Sequence, residues 1–438
     1  MTTSVAPDSA MDSYVSAFDE RAGNGAPSWV QSMRRAAFER FSALGFPTTK
    51  NEDWHYTSPA AIADREFSLL DGGGAPSVTM EQLAQFGFGA TDWHTMVFVN
   101  GQFSPSLSNV SALPKGVLVR DLASSWTDAP HVVDRVGRIT SYDDAAFTAL
   151  NAAFMHDGAV LQIGKDVDVE TPIHILFVTD AAAANGMMHP RNLILVGRNA
   201  KATVIESYVS LGDASYFTNA VTEVAVADGA TLRHYKVQRE SENAFHVATV
   251  EAAQAKDSHF ISFSLALGAA LSRTNVYTTL DGAGSGTTLN GLYMLDGDQH
   301  CDHQTRVVHA QPNTFSRELY KGVLDGKSHG VFNGKVYVHP IAQKTDGKQT
   351  NNTLLLSETA HIDTKPQLEI FADDVKCTHG ATVGQIDRTA LFYLESRGIG
   401  NALARRLLTY AFCADVLETL EVDAVREGLE EMTLDRFV

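Results

Sequence analysis

Histidine is unevenly spread along this chain. Of 16 in 438 residues, seven fall between His300 and His379: His300, His303, His309, His329, His339, His361 and His379. Two of the three cysteines, Cys301 and Cys377, lie in the same stretch. Imidazole and thiolate together suit iron, zinc or copper. Yet no C-x-x-C, H-x-x-E-H or H-E-x-x-H spacing occurs, so no closed mononuclear site can be read. Most of these histidines read as structural or solvent-facing. Cys377 and His379 differ. They stand two residues apart, so on a strand both side chains face one side. The pair offers a soft sulfur and a nitrogen, but two ligands leave a metal or cluster half-bound. A site completed by another chain is therefore the expectation, with His379 the first candidate ligand and Cys377 the second. A cysteine beside a strand is often just a small hydrophobe. Cys413 falls in an apolar helical pattern and reads as core. Cys301, beside Asp302 and His303, reads as part of a loop.

The elements that must hold this pair are legible around it. Leu368, Ile370 and Val375-Lys376 suggest extended chain, with Asp373-Asp374 as a turn. Gly380 and Gly384 bracket an Ala-Thr-Val run and permit tight turns. Asp387 reads as a helix N-cap, Ala390, Leu391 and Leu394 follow at helical spacing, and Gly398 stands where a terminating glycine would. A second helix carries Leu403, Leu407, Leu408, Ala411 and Phe412 as an apolar stripe, with Arg405-Arg406 on its other side. A last acidic helix is predicted near 422–432.

Upstream the pattern changes. From about Ala159 to Phe371 the chain reads as strands and turns with a loose repeat. Ala202-Thr-Val204, Ala230-Thr-Leu232, Ser258-His-Phe260, Thr287-Thr-Leu289 and Asn313-Thr-Phe315 each open a strand after turn chemistry. Those turns are Gly197-Arg-Asn199, Asp228-Gly229, Lys256-Asp257, Gly284-Ser-Gly286 and Gln311-Pro312. An all-strand repeat this short means stacked coils, each burying its neighbour's apolar face. Propeller blades need roughly 40 residues each and fit less well. No helical pattern interrupts the coils, which argues against alternating strand–helix winding. The expected organisation is a helical region over 1–95, a β-solenoid core over 96–375 with a helical insertion near 143–155, and a helical region over 376–438. A solenoid leaves open sheet edges at its ends, which must be capped or paired with another chain. The N-terminal helices could cover one end, and the other lies close to residues 340–376.

Composition excludes several classes. A formal net charge of −18 argues against nucleic acid or an anionic membrane surface as the partner. No run of roughly 18 apolar residues marks a membrane span. The N-terminus carries acids early and lacks an apolar core, so it does not read as a signal peptide. Three scattered cysteines make no disulfide framework and fit a reducing cytoplasm. Gly322-Val-Leu-Asp-Gly326-Lys327-Ser328 has three residues between its glycines where a phosphate-binding loop needs four, and it leads into no helix. Asp373-Asp374, adjacent in sequence, would point to opposite faces of a strand and make no converging acid pair.

The run Lys365–Gly398, KPQLEIFADDVKCTHGATVGQIDRTALFYLESRG, resembles the SufB/SufD family of iron–sulfur cluster assembly proteins. The likeness extends upstream through Asp302, His303, Arg306, His309, Phe332, Gly334, Ala342-Gln343, Thr345 and the segment Gln349–Leu356, and reaches Asn51-Glu-Asp-Trp54. The Cys377-Thr-His379-Gly380 form resembles the SufD side of the family, and no cluster-binding cysteine run stands near the N-terminus. The resemblance implies a right-handed parallel β-helix core between helical terminal regions. It implies no catalysis by this chain, but a scaffold that pairs with a SufB-like paralogue through the β-helix cores. A transient iron–sulfur cluster or iron would sit at that seam, with His379 as this chain's ligand and no cofactor held tightly by this chain alone. It also implies docking of a SufC-like ATPase on the C-terminal helices, where Arg397, Leu403, Arg405, Arg406 and Leu407 are the candidate contacts. A homodimer through the same edge is possible when partners are missing. The competing readings are a SufB-like chain that holds the cluster itself and a β-helix polysaccharide-active enzyme, which would line a groove with converging carboxylates.

Overall fold

A computed structural model describes residues 8–21, 26–70, 78–110 and 112–436. Two long sheets dominate it, and successive strands alternate between them. One sheet runs from Ala159–Ile163 and Arg191–Val196 through Phe217–Val226, Phe245–Gln254, Leu271–Leu280, His300–His309 and His329–Val338 to His361–Ile370. The other runs from Ile173–Thr179 through Lys201–Ser210, Thr231–Arg239, His259–Ala266, Gly286–Leu295, Phe315–Leu324 and Asp346–Leu355 to Lys376–Gln385. Each of these strands pairs in parallel with the one a full coil away. The result is a parallel β-solenoid of about eight turns.

One corner of each coil explains why the chain can wind this way. Asn199, Gly229, Asp257, Gly284, Asn313 and Lys344 all adopt left-handed backbone, with φ between 54° and 75°. Each donates its N–H to a carbonyl in the next coil, as Asn199 does to Asp228 and Gly229 to Lys256. Gly, Asn and Asp enter this region at least cost, so the turn residues that punctuate the sequence are those the corner requires.

The register differs from the repeat read in the sequence. The stacked column is Ala202, Leu232, Phe260, Thr287, Ser316, Gly347 and Cys377. Leu232 and Phe260 do stack, but Val204 lies two residues out of line with Leu232, Leu289 two out of line with Phe260, and Phe315 pairs with Gly286. Coils differ in length, so apolar spacing alone does not set pairing. Within the stack, Val204, Val224, Leu232, Phe260 and Leu289 belong to one apolar cluster.

The helices cover flanks rather than ends. Asp8–Arg21 and Ser28–Leu44 pack with the helix Ala146–Phe154 against Phe217 and Phe245 on one sheet. The N-terminal end of that sheet is closed by Val117–Asp121, antiparallel to Ala159–Ile163, and of the other by Gln102–Phe103. At the other terminus, Asn401–Leu417 and Asp423–Asp435 lie against the second sheet, with Cys413, Val416, Leu417 and Leu429 meeting Tyr235, Phe263 and Leu292. Lys376–Gln385 is a full solenoid strand, so the C-terminal helices begin at Arg388, beyond the expected boundary at 376. Gly380 and Gly384 lie inside that strand and turn nothing. No helix among the described residues is long and apolar enough to cross a membrane.

Candidate ligand-bearing rim

The helices leave the last coil uncovered. His361–Ile370 ends one sheet and Lys376–Gln385 ends the other, and each has a neighbour on one side only. In a parallel ladder, alternate residues turn both backbone groups to the same neighbour. Lys376 donates its N–H to Thr345 C=O in the coil beneath, at 2.8 Å. Every second residue from Lys376 therefore faces down, and Cys377, His379, Ala381 and Val383 turn N–H and C=O to the open edge. On the other sheet His361 donates down to Ser328 at 2.9 Å, which places Pro366 among the residues facing up. Proline has no N–H to offer, so that edge is blunted at its middle. The edge that carries His379 is not.

Side chains of the last strand continue the inward columns of the coils below. Glu318, Gln349 and His379 are successive members of one column. Glu318 and Gln349 are buried, whereas His379 is exposed because no further coil lies over it. Gln349 Nε2 donates to Glu318 Oε1 at 3.1 Å, and Thr305 Oγ1 donates to Oε2 at 2.6 Å. Burial pushes the Glu318 carboxyl up to about 7, against the pull of those two hydrogen bonds. Gln349 Oε1 and Asn351 Oδ1 in the penultimate coil are buried with no hydrogen-bond partner among the described residues. Buried polar atoms are seldom left so, and here they lie directly under the open face. Val383, Ile370 and Phe371 are exposed on or beside the rim strands.

Cys377 shares the strand face of His379 but not its environment. It is half-buried against Val336, Val338, Ala342 and Ala372. Burial raises its thiol pKa, which disfavours the thiolate a metal would bind. The geometry thus separates the pair: His379 is presented, and Cys377 mostly fills space. Cys413 is core, as expected. Cys301 is not in a loop; it is buried on the strand His300–His309, with Sγ 3.6 Å from His303 Nδ1 and its thiol pushed up to about 12 by burial.

The solenoid interior also holds charge that sequence reading missed. Glu206 is buried and accepts hydrogen bonds from His234 Nε2 at 2.9 Å, Thr222 at 2.8 Å and Tyr208 at 2.8 Å. Burial pushes its carboxyl up, but the hydrogen bond and charge of His234, with Lys236 nearby, more than offset this and hold it at about 2. Lys236 Nζ lies 2.7 Å from His246 Nε2, and burial lowers its pKa to about 8. The only sequence signal was polar residues at inward positions of strands, which is ambiguous until the register is known.

The C-terminal candidates divide. Leu403 and Leu407 are 50% and 37% exposed, so they do not form the helix's buried stripe, which is Ala404, Cys413, Val416 and Leu417. Phe392 and Tyr393, on the preceding helix Arg388–Ser396, are 70% and 56% exposed, and that helix buries no residue. Arg397 lies over the Tyr393 ring at 5.1 Å. Arg405 is spent internally on Leu356 C=O, and Arg406 on Leu434 C=O and Asp435.

Comparison with known proteins identifies the family. The family model "SUF system FeS cluster assembly, SufBD core domain" matches residues 177–412, and "SufBD protein N-terminal region" matches 9–175. The iron–sulfur cluster assembly protein SufD of Escherichia coli (strain K12) is 35% identical over 394 residues, covering 90% of this chain and 88% of that one. A SufBD family protein of Synechocystis sp. is 33% identical over 419 residues, covering 92% and 90%. SufD of Bacillus subtilis (strain 168) is 28% identical over 429 residues, covering 95% of each. With both models matched across nearly its whole length, the chain belongs to the SufBD family of iron–sulfur cluster assembly proteins.

Proposed function

We propose that this chain is the SufD-type scaffold subunit of a cytoplasmic SUF assembly complex and carries out no catalysis of its own. It pairs with a SufB-like paralogue through the open rim, and a transient iron–sulfur cluster, the cargo of the complex, is handled at that seam. His379 supplies this chain's ligand; Cys377 is a packing residue beside it. The observation that carries the reading is the uncovered strand Lys376–Gln385 with an exposed imidazole on it. A half-site on an unpaired edge is a site waiting for a second chain, because strand addition supplies the backbone bonds and a partner supplies the remaining ligands.

A SufC-like ATPase docks on the apolar patch of Phe392, Tyr393, Leu403 and Leu407, with Arg397 at its margin. Arg405 and Arg406 hold the patch in place rather than meet the partner. Closure of two ATPase subunits would bias the seam between a sealed and an open arrangement. In the partner's absence the same edge permits a homodimer. The test is co-expression of this chain with its SufB-like and SufC-like partners, followed by iron and sulfide analysis. His379→Ala should assemble normally and lose cluster loading. Normal loading by that complex refutes the ligand role, and failure of the wild-type chain to co-purify with either partner refutes the scaffold role.

A further inference from the structure

One column on the outer face of the first sheet changes character along its length. Its members in register are Phe217, Phe245, Leu271, His300, His329 and His361. The first three lie under the N-terminal helices. His300 meets the N-terminal segment through Thr57 Oγ1 at 2.9 Å. From His300 to the rim the column is imidazole.

Asp363 joins the last two histidines. It is two residues from His361 on one strand, so the two side chains share a face. Its Oδ2 lies 2.8 Å from His329 Nε2 and 3.2 Å from His361 Nε2. One ligand atom from each of the three residues lies within 4.8 Å of the other two. Asp302 stands two coils earlier in the column of Asp363 and is neutralised by Arg273 at 2.7 Å. Asp363 has no Lys or Arg within ion-pair distance among the described residues; its counter-groups are the two imidazoles. Nearby Lys365 is engaged by Glu52 instead.

The geometry points to a second metal site: His329 Nε2, His361 Nε2 and Asp363 Oδ2 bind one first-row divalent ion of the Fe²⁺-to-Zn²⁺ class. Tetrahedral bonds of about 2.1 Å place ligand atoms roughly 3.4 Å apart, so sub-ångström shifts bring the trio to bonding positions. Two imidazoles and one carboxylate on one side of an ion leave coordination positions open to solvent. Binding replaces the N–H···O contacts, because each Nε2 must then present a lone pair, with the ring proton on Nδ1. The site uses the first and third positions of strands in one sheet, whereas His379 occupies the fourth position of the last strand in the other. It therefore stands apart from the proposed seam ligand.

The test uses the purified full-length chain, with Co²⁺ titration followed by visible absorption and Zn²⁺ titration by calorimetry. The wild type should bind one equivalent, with the absorption of nitrogen- and oxygen-ligated Co²⁺. His361→Ala and Asp363→Asn should each weaken binding by at least about tenfold, the low end of what losing even an outer-shell partner costs. Both positions lie on the edge strand, and matching thermal melts of the metal-free variants check that folding is retained. His379→Ala should bind Co²⁺ as tightly as wild type. Wild-type affinity in both His361→Ala and Asp363→Asn, or no stoichiometric binding by the wild type, overturns the site. Loss of binding on His379→Ala alone also overturns it, by moving the ion to the seam.

Discussion

The alternation of backbone groups on the rim makes Ala381→Pro an informative perturbation. Ala381 N–H points to the open edge, since Lys376 and every second residue after it point down. Removing it costs the isolated chain no hydrogen bond, and proline is tolerated on edge strands for this reason. The variant's unfolding free energy should stay within about 1 kcal/mol of wild type. In a complex built by strand addition the same N–H is used. One net hydrogen bond is worth roughly 0.5–1.5 kcal/mol, so binding to the SufB-like partner should weaken by about tenfold or more once the ring's crowding is added. Thr382→Pro is the control. Its N–H faces the coil beneath, and its hydroxyl donates to Asn352 Oδ1 at 2.7 Å. That variant should lose stability by about 1–3 kcal/mol while leaving the outward groups in place. Calorimetry of partner binding and urea unfolding of each chain separate the two effects. Ala381→Pro with wild-type affinity and Thr382→Pro with wild-type stability would refute the assignment of outward and inward groups; the first result alone would refute pairing through this edge.

Glu223→Ala should destabilise by about 3–5 kcal/mol in urea unfolding, because it strands buried Arg191, which it meets at 2.6 Å, and frees the N–H groups of Gly137, Ile139 and Thr140. Glu318 has a folded pKa raised by burial to about 7, so its contribution favours folding below the ordinary carboxyl range and is lost as pH rises through 7. Glu318→Gln, with the Thr305 hydroxyl reversing to accept, should therefore shrink the fall in melting temperature between pH 5 and pH 8. Leu403→Glu with Leu407→Glu should abolish co-purification of the ATPase while shifting stability by no more than about 0.5 kcal/mol per site, since both side chains are exposed.

How much of this was legible follows from what is local. The turn residues at Asn199, Gly229, Asp257 and Gly284 announced corners, because left-handed backbone is a property of a single residue. Asp387 announced the C-terminal helix and caps it, accepting from Thr389 N–H at 2.8 Å. The helix Ala146–Phe154 was likewise written in its own periodicity. The motif from Lys365 onward carried the family. By contrast, Leu403 and Leu407 read as an apolar stripe that could be core or a docking face, because helical spacing tells that a face exists, not whether anything covers it; both are exposed. Arg405 and Arg406 read as candidate docking contacts, yet their guanidinium groups meet carbonyls of residues far along the chain.

By itself, then, the order of amino acids determined the all-strand coil, its turn chemistry, the terminal helices and the presence of a Cys-x-His pair, since each depends on neighbours within a few residues. Only tertiary structure decided which columns stack, that the helices lie along the flanks and leave the last coil bare, that Cys377 is packed while His379 is presented, and that His329, His361 and Asp363 converge. Coil lengths change by up to three residues from one turn to the next, and a shift of one residue reverses which face a side chain takes. That choice is made by packing between residues roughly 30 apart in sequence, which no local pattern encodes.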